Sequence, residues 1–268
     1  MQKTIFITGA SSGLGKSTAK LFQSKGWRVI ATMRNPENEM ELNKLKDVIL
    51  LPLDVSNQDQ IISVVEKVTH LYSVDIVMNN AGYGLIGVLE SLSDEQIQRQ
   101  ITTNLLSVIR VSKAFTSHFR ERRSGMFINI TSTFGLIGFP MCSVYSATKF
   151  AIDGFSESMA YELAQFGIQV KVIAPGGMQT DFAVRSMETG QHDAYEKLSV
   201  EVSKGYSPEK ISNYTKVEDV AEIVYQSATD NQNKLRYVAG NDANQLYDER
   251  LKLGSETQFQ NIKTMFTF

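Results

Sequence analysis

The chain is 268 residues long, 42% apolar and 21% charged, with a formal net charge of −2 at pH 7. That composition supplies a sizeable core and gives no electrostatic case for nucleic acid or an anionic membrane surface as the main partner. Cys142 is the only cysteine, which excludes an internal disulfide and suits a reducing compartment. No run approaches the ~20 apolar residues of a membrane span, so no membrane insertion and a cytoplasmic location are expected.

From the N-terminus, short β-rich apolar runs alternate with longer helical patterns. Strands are expected at 4–8, 28–32, 48–51, 75–78, 126–131, 169–173 and 235–238, with helical patterns between them at 14–24, 58–70, 94–119 and 144–166. Near-continuous apolar strands separated by helices predict an α/β fold, a mostly parallel seven-stranded sheet with helices on both faces. With no linker, repeat or low-complexity tract to mark a boundary, one doubly wound domain over 1–268 is expected.

The first strand exits into Thr8, Gly9, Ala10, Ser11, Ser12, Gly13, Leu14 and Gly15, followed by a helix. Glycines there permit a tight turn and let backbone amides approach a pyrophosphate at the positive helix end. A preceding strand and a following helix are the context this chemistry needs, which points to a Rossmann dinucleotide site. Three residues separate the first two glycines, a departure from the commoner G-x-G-x-x-G form. At the end of the second strand an acid would bind the ribose hydroxyls, but Met33 and Arg34 stand there instead. An arginine suits a 2′-phosphate, so NADP(H) is favoured over NAD(H), with Ser11, Ser12 and Lys16 as helpers; the alternative for Arg34 is a solvated surface residue. Asp54 and Val55 follow the third strand, where Asp54 either accepts from the adenine amino group or caps the helix beginning near Asn57. Asn79, Asn80, Ala81 and Gly82 follow the fourth, where small residues let the backbone run along the adenosine or simply make a turn.

Tyr145 and Lys149 are four apart, so on a helix they share one face. A reference phenol titrates near ~10, and an adjacent cation favours the phenolate; reaching neutrality takes roughly 3 units, about 4 kcal/mol. Such a phenol is a proton donor to a carbonyl oxygen or an acceptor from an alcohol. Ser132 lies thirteen residues earlier, at the exit of the fifth expected strand, where its hydroxyl could reach the same oxygen or merely end the strand.

Together these motifs resemble the short-chain dehydrogenase/reductase family, in its shorter branch, over roughly 3–240. The matching positions are Thr8-Gly9, Gly13-Leu14-Gly15, Asn79-Asn80-Ala81-Gly82, Asn104, Ser132, Tyr145, Lys149, Pro175-Gly176-Gly177 and Thr180. Residues 31–36 and 236–243 look like 17β-hydroxysteroid and retinol dehydrogenase-like members. The resemblance implies that Tyr145 is the general acid in reduction and the general base in oxidation. It implies that Lys149 lowers the Tyr145 pKa and holds the nicotinamide ribose, and that Ser132 bonds the substrate oxygen. Asn104 would support a water-linked proton path to Lys149, and Thr180 would bond the nicotinamide carboxamide. It further implies homodimers or homotetramers assembled through the helices at 94–119 and 144–166. The rival function is a catalytically silent NADP(H)-binding sensor of the same fold.

Two stretches are expected to meet the small-molecule carbonyl or alcohol substrate. One carries Phe134, Leu136, Ile137, Phe139 and Met141; the other, a substrate loop over about 177–213, carries Phe182, Val184, Met187, Tyr195, Leu198 and Tyr206. Neither reads as a regular strand, and they either build an apolar pocket or pack on the core or a second subunit. Arg185 could instead recruit an acidic group. The C-terminal extension, about 241–268, either covers the pocket or blocks an interface. His70, His118 and His192 are scattered without ligand-like partners, so no metal site is expected.

Overall fold

A computed structural model describes residues 2–180, 182 and 186–267; Val184 and Arg185 lie outside the described residues. Its strands in chain order are β1 (Thr4–Thr8), β2 (Arg28–Met33), β3 (Val48–Pro52), β4 (Ile76–Asn79), β5 (Gly84–Ile86), β6 (Gly125–Ile130), β7 (Ile168–Pro175), β8 (Met178–Gln179), β9 (Met187–Thr189), β10 (Thr215–Lys216) and β11 (Arg236–Ala239). The helices are α1 (Gly13–Ser24), α2 (Gln58–Leu71), α3 (Asp94–Ile101), α4 (Ser107–Arg122), α5 (Ser143–Leu163), α6 (Glu196–Ser203), α7 (Pro208–Ser212), α8 (Val217–Thr229) and α9 (Asn241–Met265).

Seven strands form one sheet in the order β11-β7-β6-β4-β1-β2-β3, and every pairing in it is parallel. The seven expected strands all appear, each within two residues of its expected bounds. Side chains alternate along β1: Ile5 and Ile7 join the core under α1 and α8, and Phe6 joins the core under α2, α4 and α5. On that second face Phe115 of α4 lies 4.9 Å from Phe6, and Phe119 lies 4.9 Å from Phe127. Both faces are thus dry, which is why the strands read as unbroken apolar runs. The chain winds outward from β1 in one direction and from β4 in the other. The carboxyl ends of these two strands therefore flank a switch-point crevice, where doubly wound sheets bind ligands.

Two expectations are revised. The helix expected at 94–119 is divided: α3 ends at Ile101, Thr102–Leu106 form a π-helical turn, and α4 continues to Arg122. An extra residue in one turn hardly disturbs the apolar periodicity, so the sequence reads as continuous. The substrate loop, read as free of regular strands, contains β8 and β9, which pair with β10 and β5. Strands of two or three residues are held by their backbones and leave no alternating pattern. The C-terminal extension is a helix broken at Gly254, with φ of 78°. Beyond the break it folds back, Gln258 donating to the Leu246 carbonyl at 2.7 Å and Asn261 to Glu249 at 2.8 Å. Among the described residues no helix is long and apolar enough to cross a membrane.

Candidate active site

The crevice is a cleft of about 2020 Å³. At one end lies the glycine turn. Gly9 and Gly13 have φ of 67° and 52°, values that a side chain would strain. A Cβ on Gly15 would fall 2.4 Å from the Gly9 oxygen and 2.5 Å from Asn80 Nδ2. Asn80 Nδ2 donates to the carbonyls of Thr8 and Gly9, both at 3.0 Å, and the Asn80 and Ala81 amides donate to Thr8 Oγ1 at 3.0 and 3.1 Å. The second strand–turn motif thus braces the first. The result is a backbone cradle at the N-terminus of α1 in which Gly9 and Gly15 have no room for a side chain, which fits the pyrophosphate of a dinucleotide.

Gly9, Ser11, Ser12, Gly13, Leu14, Arg34, Asp54, Val55, Asn80, Ala81 and Gly82 line this end. Arg34 is exposed at the mouth. Lys16 also lines the cleft, but it is paired with Glu39 at 3.1 Å and Glu41 at 2.6 Å, so it is shared with two carboxylates. Glu39 is buried and accepts from the amides of Glu41 and Leu42 at 2.9 and 3.0 Å, which fixes that loop against α1. Nothing in the local sequence marks these acids as neighbours of Lys16. Asp54 does not cap α2: its Oδ1 accepts from Ser56 at 2.9 Å (amide) and 2.7 Å (hydroxyl). Asn57 is the cap, accepting from the amides of Asp59 and Gln60 at 3.0 and 3.1 Å.

At the other end Ser132, Tyr145 and Lys149 come together with Pro175, Gly176 and Thr180 on the cleft wall. Ser132 follows β6 and caps a short 3-10 turn, Thr133–Gly135, its Oγ accepting from the Phe134 amide at 3.2 Å. That bond leaves the hydroxyl hydrogen free to donate. The turn is pressed onto α5: a Cβ on Gly135 would lie 2.3 Å from Thr131 Oγ1 and 2.8 Å from the Lys149 carbonyl. Thr131 Oγ1 itself donates to the Lys149 carbonyl at 2.7 Å. Gly135 is therefore the residue that allows Ser132 to approach the helix carrying Tyr145, a role the sequence reading missed although the residue lies within the Ser132 to Tyr145 stretch.

Lys149 is 5% exposed; its Nζ donates to the Ile130 carbonyl at 3.0 Å and stands 5.7 Å from the centre of the Tyr145 ring. Burial pushes its ammonium down to about 8. Burial likewise pushes the Tyr145 phenol up to about 12, against the opposing pull of the adjacent Ser132 hydroxyl. This differs from the lowered phenol implied by the resemblance. Desolvation penalises the charged form of both groups and is the largest cause of both shifts.

Asn104 sits in the π-helical turn, buried and away from the cleft lining. Its amide is committed to Tyr83, Oδ1 accepting from the Tyr83 amide at 3.0 Å and Nδ2 donating to the Tyr83 carbonyl at 2.8 Å. The side chain thereby fixes the loop after Gly82. Gly15 is the other expected site residue that does not line the cleft; it is filled over by the turn it permits.

On the substrate side Phe134, Phe139, Phe182, Met187 and Tyr206 face the cleft. Phe134 and Phe139 stack at 4.8 Å, and Phe266 from the C-terminal extension meets Phe139 edge-on at 5.4 Å. Ile137 belongs to the core, and Met141 and Tyr195 line a separate shallow hollow beside Val88 and Leu89.

Fold and cleft define a doubly wound α/β protein with a switch-point crevice of the kind that binds dinucleotides. The short chain dehydrogenase family model matches residues 3–191. The chain is 37% identical over 195 residues to a 3-ketodihydrosphingosine reductase of Bacteroides thetaiotaomicron, covering 71% of each chain. A short-chain dehydrogenase from Streptomyces avermitilis has a similar structure, with a TM-score of 0.84, 27% identity and coverage of 98% of this chain and 97% of that one. A structure of ElxO with NADP bound gives a TM-score of 0.74 at 28% identity, over 89% of this chain and 96% of that one. The chain belongs to the short-chain dehydrogenase/reductase family and is an oxidoreductase acting on CH–OH groups.

Proposed function

We propose that this enzyme uses NADP(H) to interconvert a carbonyl and a primary or secondary alcohol on an apolar substrate. The observation that carries the reading is the meeting of Ser132, Tyr145 and Lys149 on one wall of the switch-point cleft. When bound there, the nicotinamide supplies or accepts the hydride.

In reduction Tyr145 donates its proton to the substrate carbonyl oxygen; in oxidation the phenolate takes the alcohol proton. Ser132 gives the same oxygen a second hydrogen bond, since its own oxygen is already engaged by the Phe134 amide. Lys149, anchored to the Ile130 carbonyl, keeps two N–H groups for the nicotinamide ribose hydroxyls and sets a positive potential beneath the phenol. Asn104, whose side-chain amide is bonded to Tyr83 through Oδ1 and one N–H, supports a water-linked proton path to Lys149. Thr180 and the segment from Pro175 hold the nicotinamide carboxamide.

NADP(H) is favoured over NAD(H) because the exposed Arg34, with Ser11 and Ser12, stands where an acid would otherwise hold the ribose. The NADP bound by ElxO supports the same choice. An apolar substrate is supported by the row of Phe134, Phe139 and Phe266, and a keto group by the named relative. For assembly, Phe150 and Tyr161 lie exposed on α5, which supports a homodimer or homotetramer through that helix.

A panel of apolar ketones, aldehydes and alcohols, followed at the nicotinamide absorbance with both cofactors, tests the reading. Turnover with NADPH in clear preference to NADH is expected. A clear preference for NADH would overturn the role of Arg34, and cofactor binding without turnover across the panel would leave a silent sensor.

A further inference from the structure

We propose that Asp242, in the first turn of α9, is a positioning residue for the nicotinamide: it sets the conformation of the segment from Pro175 to Thr180 from outside. The inference rests on the reading that this cleft binds NADP(H).

The Gly177 amide donates to Asp242 Oδ2 at 2.7 Å. A Cβ on Gly176 would lie 2.2 Å from Asp242 Oδ1. The carboxylate is therefore seated on the backbone of both glycines, one oxygen against each. Gly240, with φ of 114°, turns the chain from β11 into α9 and so brings Asp242 back over this segment. The same two stretches are joined by the Gly176 amide, which donates to the Ala239 carbonyl at 2.9 Å. On the opposite side the Gly177 carbonyl accepts from the Thr215 amide at 3.2 Å, and the Tyr214 ring leaves no room for a Cβ on Gly177, the nearest atoms lying at 2.5 Å.

Two successive glycines are the least restrained backbone a chain possesses, yet here they must hold one shape beside a reacting ring. A charge-assisted bond from a carboxylate is the strong way to restrain them. Asp242 lines the cleft with Pro175, Gly176 and Thr180, and it lies beyond the residues 3–191 that the family model matches. Its action reaches the cofactor through Gly177, at the nicotinamide end only.

The test is titration calorimetry on the full chain as wild type, Asp242→Ala and Asp242→Asn. The ligands are NADPH and 2′,5′-ADP, the latter carrying the adenosine half without nicotinamide. Asp242→Ala is expected to weaken NADPH by about tenfold or more and leave 2′,5′-ADP unchanged. Asp242→Asn keeps an oxygen for the Gly177 amide and is expected to recover most of the loss. Equal weakening of both ligands would reduce Asp242 to a general structural role and overturn the proposal, as would unchanged NADPH binding by the alanine variant. Wild-type protein that bound neither NADPH nor NADH would instead overturn the cofactor reading, and this proposal with it.

Discussion

Lys149 Nζ stands 5.7 Å from the centre of the Tyr145 ring, and its hydrogen bond runs to the Ile130 carbonyl oxygen at 3.0 Å. In the free protein burial governs both groups, raising the phenol and lowering the ammonium. Lys149, and not Tyr145, is then the group whose charge changes near neutral pH.

This has a kinetic consequence. Reduction needs a protonated Tyr145, which persists up to about 12, and a charged Lys149, which is lost above about 8. The kcat/KM for carbonyl reduction is expected to be level at lower pH and to decline as pH rises through about 8. A pH–rate profile with its alkaline limb near the reference phenol value of ~10 would contradict this assignment.

The same burial makes a stability prediction. Lys149 titrates at about 8 when folded, below its unfolded value of 10.5. Between these values the unfolded chain holds more protons, so this group makes stability rise with pH through that window. Tyr145, with its folded value raised above 10.0, opposes this only at higher pH. Denaturant unfolding of wild type and Lys149→Met at pH 8 and 10 should show a wild-type gain roughly 2 kcal/mol larger than the variant's. Parallel pH dependence in the two proteins would mean that the ammonium is hydrated.

Gly135→Ala tests the close approach of the Ser132 turn to α5. The added methyl would meet Thr131 Oγ1 and the Lys149 carbonyl, so stability should fall by about 1–3 kcal/mol. Turnover should fall as well, because the same shift carries Ser132 away from Tyr145. A variant with wild-type melting temperature and kcat would remove Gly135 from the account.

Phe266→Ala opens the far end of the aromatic row that Phe139 and Phe134 begin. KM for a large apolar ketone should rise roughly tenfold while a small ketone is unaffected. An equal change for both substrates would show that the C-terminal extension does not contact the substrate.

Much of this was legible in the sequence for a physical reason. A parallel sheet dry on both faces writes its strands as apolar runs, and the turns after β1 and β4 must use small residues because the backbones nearly touch, a Cβ on Gly9 falling 2.8 Å from the Ala81 Cα. Tyr145 and Lys149 were readable because helical spacing puts them together. What stayed hidden depends on contacts distant in sequence. The carboxylates beside Lys16 come from the loop after β2, Phe266 reaches Phe139 only because Gly254 reverses α9, and Asp242 meets Gly177 across 65 residues. The burial that opposes ionisation of Tyr145 also stayed hidden, because proximity in a helix says nothing of desolvation.

The most direct test of the account is Tyr145→Phe, which removes the phenolic hydroxyl and little else. Turnover of an apolar carbonyl with NADPH is expected to fall by about 10²–10⁴-fold while the Kd for NADPH stays at the wild-type value. Turnover by the variant close to the wild-type rate would contradict the assignment of the proton to Tyr145.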